Sequence, residues 1–395
     1  MKMRSNKDIS SNLDRRTVLA ASLGTLALGK FAHCVNAQLS VLDVKTISPT
    51  PNIYCGWPTL ILRRNGQLML VWSGGRESHV CPFGRVDMMR SDDQGETWTW
   101  PRTILDGASD DRDAGALETD QGTLIVTTFT SLAYESIYKD QIARQKRGDK
   151  NAWPEDQLAR WSAVHNRMSD NERDSELGQW AIRSTDEGRT WSNRIPTIVN
   201  SPHGPIQLSD GRLLYPGKEL WTTQKRIGAS VSTDDGQSWQ WLAEIPTRDG
   251  DKATDYHELH GVECQSGKLV VHIRNHNPKN NRETLQTEST DGGETWTVPH
   301  SIGIWGLPSH LLRLKDGRLL MSYGHRRDPL GIQVRISDDE GTTWSDSLPI
   351  WDQGTSGDLG YPSTVELDDG SLVSVWYEKM KSSPKAVLRQ ARWRV

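Results

Sequence analysis

Five copies of one octad, Ser-x-Asp-x-Gly-x-Thr-Trp with small variations, recur at Ser91–Trp98, Ser184–Trp191, Ser232–Trp239, Ser289–Trp296 and Ser337–Trp344. Such repetition means one supersecondary unit used many times, because a unit that cannot bury its apolar face alone must stack on its neighbours. Each residue of the octad has a local task. The aspartate (Asp93, Asp186, Asp234, Asp291, Asp339) can accept hydrogen bonds from its own turn, the glycine two residues on supplies a positive φ, and the tryptophan packs back. One copy would carry little weight, whereas five in register demand a repetitive architecture.

A second periodicity is independent of the first. Turn signals stand between short strand-like runs at Asn65-Gly66, Gln121-Gly122, Asp210-Gly211, Ser266-Gly267, Asp316-Gly317 and Asp369-Gly370. In five of these six hairpins an octad follows, so the unit runs strand, turn, strand, longer connection, strand, octad, strand, which is a four-stranded propeller blade. The 17 Trp and 34 Gly against three Phe fit short strands, tight turns and a repeated tryptophan packing element. The predicted fold is all-β, a six-bladed β-propeller with blades at about 54–105, 111–199, 201–246, 256–304, 306–351 and 360–395. The last blade lacks an octad, and its outer strand is expected from residues 39–47, which would close the ring and remove open edges. An insertion at about 132–178 interrupts blade two. It is polar, carries Trp153 and Trp161, and reads as partly helical, either a solvated excursion or a lid.

The first 37 residues are an address. Arg15-Arg16 precedes an apolar stretch, residues 18–28, too short to span a bilayer, and Val35-Asn36-Ala37 offers a small-residue cleavage site. A twin-arginine signal peptide is expected over 1–37, with the propeller in 38–395, the twin-arginine export machinery as a partner, and a periplasmic or secreted location. No other stretch approaches the length of a membrane span. A net charge of −4 without a Lys/Arg cluster argues against nucleic acid. After Cys34, the cysteines Cys55, Cys81 and Cys264 lack metal-ligand spacing; a Cys55–Cys81 disulfide and three buried, inert thiols both fit.

In a propeller the first strand of every blade lines the central channel, so the residues leading into those strands gather on one face. Here they are Tyr54 to Trp57, Asp111-Arg112-Asp113, His203, His257-Glu258-Leu259-His260, Ser309-His310 and Gly360-Tyr361-Pro362. Ionisable groups thus recur at one topological position, where a purely structural ring would carry small or apolar residues. Second-strand ends add Arg76-Glu77-Ser78-His79, Arg274-Asn275-His276, His325-Arg326-Arg327 and Glu378. The octad aspartates sit in turns toward the other face and read as structural. No HExxH or comparable ligand pattern occurs, so neither a metal nor a cofactor is expected.

The octads, the blade count and several channel residues resemble the sialidase superfamily over nearly the whole mature chain, the octad being similar to its Asp box. The resemblance implies Tyr361 as nucleophile, Glu258 as its base, Arg274 and Arg327 as carboxylate ligands, and Glu378 as a supporting acid. A phenol suits a sugar whose carboxylate sits on the anomeric carbon, since an anionic nucleophile would be repelled, and arginines hold a carboxylate bidentately. Two positions depart from the family. Gly56 stands where its first arginine belongs, and Val80 stands near the place of its acid/base aspartate. The flanking His79 and Glu77 are candidates for general acid, imidazole being suited to proton transfer near neutrality. Arg112, Asp113, Arg76, His203, His260, His310 and Trp57 are expected around the substrate. The expected function is a sialidase-like glycoside hydrolase acting on a terminal, acidic sugar of a glycan. The alternatives are a polysaccharide lyase acting on uronates with His/Tyr/Arg chemistry, and a non-catalytic glycan-binding propeller.

Overall fold

The computed structural model describes residues 39–395, so the twin-arginine segment and its cleavage site lie outside the described residues. Six four-stranded antiparallel sheets form the blades. Five are built from consecutive strands, the first from Tyr54–Leu62, Leu68–Arg76, Arg85–Ser91 and Arg102–Leu105. The sixth joins Leu359–Glu366, Leu372–Lys379 and Ala386–Arg394 to the N-terminal strand Ser40–Thr46, which pairs in register from Ser40↔Arg394 to Thr46↔Arg389. The two ends of the described chain thus complete one blade and close the ring.

Local chemistry explains the blade. The six hairpin glycines take φ between 75° and 94°, the region tight hairpins need. Inner strands are covered on both faces by neighbouring blades, so they read as continuous apolar runs rather than alternating ones, as in the buried stretch Leu68 to Trp72. Each such side chain stabilises the ring by roughly 1.5–3 kcal/mol relative to exposure. The octads close the outer turns. In the first, Thr97 donates to Asp93 from its backbone N–H (2.9 Å) and its hydroxyl (2.5 Å), Ser91 donates to Asp93 at 2.7 Å, and Gly95 N–H donates to Ser91 Oγ. The other four repeat this pattern around Asp186, Asp234, Asp291 and Asp339.

At the opposite ends of the first strands the regularity breaks. Register shifts occur between Gly56 and Thr59, Arg112 and Gly115, His257 and Leu259, and Gly360 and Ser363. Each bulge holds a non-glycine residue in the left-handed region: Trp57 (φ 52°), Asp113 (52°), Glu258 (36°) and Tyr361 (54°). A bulge takes a side chain out of strand alternation, and here it turns four of them toward the channel mouth at a strain of about 1–3 kcal/mol each. Close backbone approach supports the geometry. A Cβ on Gly115 would lie 2.4 Å from the Gly204 nitrogen, so blades two and three meet backbone to backbone just behind Asp113.

The insertion forms three helices, α1 (Tyr134–Lys146), α2 (Glu155–His165) and α3 (Asp170–Glu176), the last started by a capping box between Ser169 and Glu172. It packs onto the ring rather than standing free: Tyr134, Tyr138 and Trp161 bury themselves with Cys81 against the blade-one loop, and none of residues 132–178 lines the pocket at the channel mouth. Cys55, Cys81 and Cys264 are free and buried, which leaves no Cys55–Cys81 disulfide. Among the described residues no helix is long and apolar enough to cross a membrane.

Candidate active site

Blades four and six meet at the hub. The Tyr361 hydroxyl donates to Glu258 Oε1 at 2.5 Å, Arg274 donates to Glu258 Oε2 at 2.5 Å, and the same Arg274 nitrogen reaches the Tyr361 oxygen at 3.1 Å. Burial alone would raise the Glu258 carboxyl, but the Arg274 charge and the Tyr361 hydroxyl outweigh it and hold Glu258 below the usual carboxylate range. Burial and the Glu258 charge push the Tyr361 phenol well up. The resting state is therefore a neutral phenol hydrogen-bonded to an ionised carboxylate, which can take the proton when the phenol oxygen attacks.

The pocket around this triad has a volume of about 320 Å³. Blade two contributes Asp113, which burial pushes up to about 7 against the pull of Arg112, with the Glu258 charge adding to the rise. Beside it, the Arg112 guanidinium lies 4.5 Å over the Trp57 ring, and its buried Nε has no partner among the described residues. Arg326 lines the pocket from blade five, fixed by Leu359 O (2.7 Å) and the Tyr377 hydroxyl (3.2 Å), with its guanidinium 5.7 Å over the Tyr361 ring. Across from these, His79 Nδ1 lies 3.1 Å from Asp358 Oδ1 and 2.8 Å from the Tyr54 hydroxyl. Burial would raise Asp358, yet its hydrogen bond and charge interaction with His79 and the bond from Tyr54 hold it down. With Nδ1–H donating to Asp358, His79 keeps Nε2 without a partner among the described residues.

Several expected site residues lie elsewhere. Glu77 accepts from Arg160 (2.8 Å) and Trp161 (3.0 Å) and so anchors the insertion. Arg76 is fully buried and bidentate to Asp110 at 2.5 and 3.0 Å, a wall residue rather than a ligand. Trp57 is 2% exposed, and the guanidiniums of Arg76 and Arg112 lie over its ring, so it supports the pocket without offering a stacking face. His203, His260 and His310 pack on one another with centroids 4.6–5.3 Å apart and plug the channel below the pocket. They face a cavity of about 370 Å³ at the opposite mouth, which is lined mainly by aliphatic side chains and lacks the phenol–carboxylate pair. Burial drives all three far down, so they are neutral.

Two further differences have different origins, strand alternation for Glu378 and, for Arg327, the loop that follows the strand Leu319–His325. Glu378 points away from the channel and accepts from Trp351 and Trp376, both at 3.2 Å, while its neighbour Tyr377 faces the site. Arg327 lies over Trp305 and donates to Asn281 O, while Arg326 reaches the pocket. Phe129 and Ser131 also line the pocket; applying the second-strand-end rule to Leu124–Ser131 would have found them.

The chain is similar to known proteins. A sialidase of Clostridium perfringens is 29% identical over 205 residues, covering 43% of this chain and 53% of that protein, so the chain spans about half the length of this curated relative. A crystallised protein of unknown function from Dyadobacter fermentans superposes with a TM-score of 0.71 at 22% identity, covering 90% of this chain and 99% of the other. The NanB sialidase of Streptococcus pneumoniae gives a TM-score of 0.60 at 14% identity over 90% of this chain and 70% of its own. At these identities the two structures speak for the fold. Residues 151–374 match the BNR repeat-like domain, and the chain belongs to that family, within the sialidase-like superfamily of BNR-repeat propellers.

Proposed function

We propose that the chain is an exported, retaining, exo-acting glycoside hydrolase for a terminal acidic sugar. The observation that carries this reading is the 2.5 Å hydrogen bond between the Tyr361 hydroxyl and Glu258, bridged by Arg274. Tyr361 Oη bonds to the anomeric carbon as the glycosidic C–O bond breaks, and its proton passes to Glu258. His79, as an imidazolium oriented by Asp358, gives its Nε2 proton to the leaving oxygen. Water then attacks the anomeric carbon as the bond from that carbon to Tyr361 Oη breaks; the water loses a proton to His79, restoring the imidazolium, and the Tyr361 phenolate recovers its own from Glu258. Arg112, Arg274 and Arg326 hold the sugar's carboxylate, Arg112 with its guanidinium otherwise unpaired.

The pocket's chemistry favours this over a lyase. Three of the histidines that motivate lyase chemistry, His203, His260 and His310, lie in the channel plug, and His325 is bound to Pro329 O. Turnover of a panel of sialosides, uronate polysaccharides and aryl glycosides tests the proposal. A hydrolase releases a free sugar without a new ultraviolet chromophore, whereas an unsaturated uronate product would establish the lyase. Glycan binding with no turnover of any substrate would establish a non-catalytic propeller.

A further inference from the structure

The catalytic pocket continues into a side cavity of about 150 Å³ that shares Asp113, Phe129, His257 and Glu258 with it and adds Lys218 and Asn200. Lys218 ends the second strand of blade three, Leu213–Lys218, and is only 5% exposed. Its ammonium donates to the backbone carbonyls of Thr254 (2.5 Å) and Tyr256 (2.9 Å), which are neutral and use two of its three N–H groups. Other buried cations of the chain are matched by acids: Arg63 by Glu118, Arg76 by Asp110, Arg173 by Glu135 and Arg248 by Asp251. Among the described residues Lys218 forms no ion pair.

A buried cation without a counter-charge is costly, and a protein retains one where a ligand brings the missing charge. Burial first, then Lys225, pushes the ammonium down to about 8 against the weaker pull of Asp255 and Glu258, neither of which pairs with it, and an oxyanion in the cavity would reverse that shift. His257, between Lys218 and Glu258 in sequence and in the cavity wall, is held neutral by burial and by the Lys218 charge, so it does not repel such a group by charge. Glu258 is already paired with Arg274, which leaves Lys218 in the side cavity, and Arg112 and Arg326 in the main pocket, without an ion pair among the described residues.

We propose that Lys218 seats a second oxyanion of the substrate, a sulfate ester or a carboxylate, in addition to the carboxylate held by the arginines. This assignment rests on the hydrolase reading for its substrate but not for its binding chemistry. The test is nitrogen-15 NMR of the Lys218 Nζ resonance in the wild-type chain, assigned through Lys218→Arg, titrated separately with methyl sulfate and with acetate. A saturable shift with methyl sulfate alone identifies a sulfate ester, and one with acetate alone identifies a carboxylate. No shift with either probe at tens-of-millimolar concentrations overturns the proposal. In turnover of matched substrates with and without the extra anion, Lys218→Met should lose about tenfold in kcat/KM on the anionic member only, the worth of one charge-assisted hydrogen bond. Equal losses on both members would overturn the proposal by making Lys218 a tie for the Thr254 and Tyr256 carbonyls. A shifted resonance in a protein that turns over no glycoside keeps the oxyanion seat and removes the hydrolase.

Discussion

The ring carries two sets of repeated carboxylates on opposite faces, and they are built in opposite ways. The octad aspartates sit in solvated turns, each satisfied by its own backbone and by Ser or Thr hydroxyls, and those bonds hold Asp93 and Asp291 down to about 2. The acids at the strand entrances are buried and stand on strained backbone, and Glu258 is held by Arg274 of its own blade and by Tyr361 of blade six; burial there drives Asp113 up to about 7. Identical residues repeated at one position serve the fold, while varied residues at one strained position line the pocket of the proposed site. The four bulges make the distinction physical, because Trp57, Asp113, Glu258 and Tyr361 hold left-handed φ values without being glycine.

Substitution can break this contrast, and the largest effect is expected at the hub. Tyr361→Phe and Glu258→Gln should each lower kcat by about a thousandfold or more, since both remove covalent or proton-transfer chemistry. The melting temperature of Tyr361→Phe should stay close to wild type, because little buried volume is lost, whereas Glu258→Gln leaves the Arg274 guanidinium without its counter-charge and should melt lower. Unchanged turnover in either variant would remove the phenol–carboxylate pair from the mechanism.

Next in size is the wall. Arg76→Ala leaves Asp110 as an uncompensated buried charge and should destabilise the chain by about 3–5 kcal/mol in denaturant titration. A variant that folded as well as wild type but lost glycan affinity would return Arg76 to the ligand set.

Asp113 gives a smaller effect with a definite sign. Its folded pKa of about 7 lies above the unfolded value, so between about pH 4 and pH 7 the native state binds more protons and stability falls as pH rises. Asp113→Asn removes that dependence. It should raise the melting temperature by a few degrees at pH 8 and leave it nearly unchanged at pH 4. A gain that persisted at pH 4 would mean that packing, not ionisation, sets the difference.

What could be read from the chain follows the same division. Octads and hairpin turns announce six blades because each turn chemistry is local and recurs. Tyr361, Glu258 and Arg274 could be named because they occupy equivalent strand ends, and the ring brings them together. Tyr377 is one residue from Glu378, and alternation within Leu372–Lys379 puts them on opposite sides with no mark in the sequence that fixes the phase; Arg326 is one residue from Arg327 in the loop after Leu319–His325, where no periodicity says which of the two reaches the pocket. The left-handed residue of each bulge is not a glycine; Gly56, Gly115 and Gly360 flank three of the bulges, but the one at Glu258 has no such neighbour, so the sequence marks the failure of alternation only in part. Depth was equally hidden: His260 lies two residues along its strand from Glu258, and that step moves it from the pocket into the channel plug. The docking of the insertion on Glu77 depends on Trp161 and Arg160, more than 80 residues away, a pairing that no local pattern encodes.

The smallest effect tests the other half of the contrast. Asp93 sits in the first octad, where its turn also meets blade six: Trp98 Nε1 donates to Gln390 Oε1 at 2.9 Å, and Gln390 Nε2 donates to Gly95 O at 3.1 Å. Asp93→Ala removes three hydrogen bonds from a solvated turn whose donors water can satisfy again, so the loss should be about 1 kcal/mol at pH 7. Hydrogen bonds from Thr97 and Ser91 depress the Asp93 pKa to about 2, so its contribution is complete above the unfolded value and fades as pH falls from about 4 toward 2. Melting curves should therefore converge for variant and wild type at the acid end. Turnover should not change, since the octad lies at the far end of the blade from Tyr361. A change in kcat without a change in stability would show that the two faces are coupled through blade six, and the separation between structural and chemical carboxylates would fail.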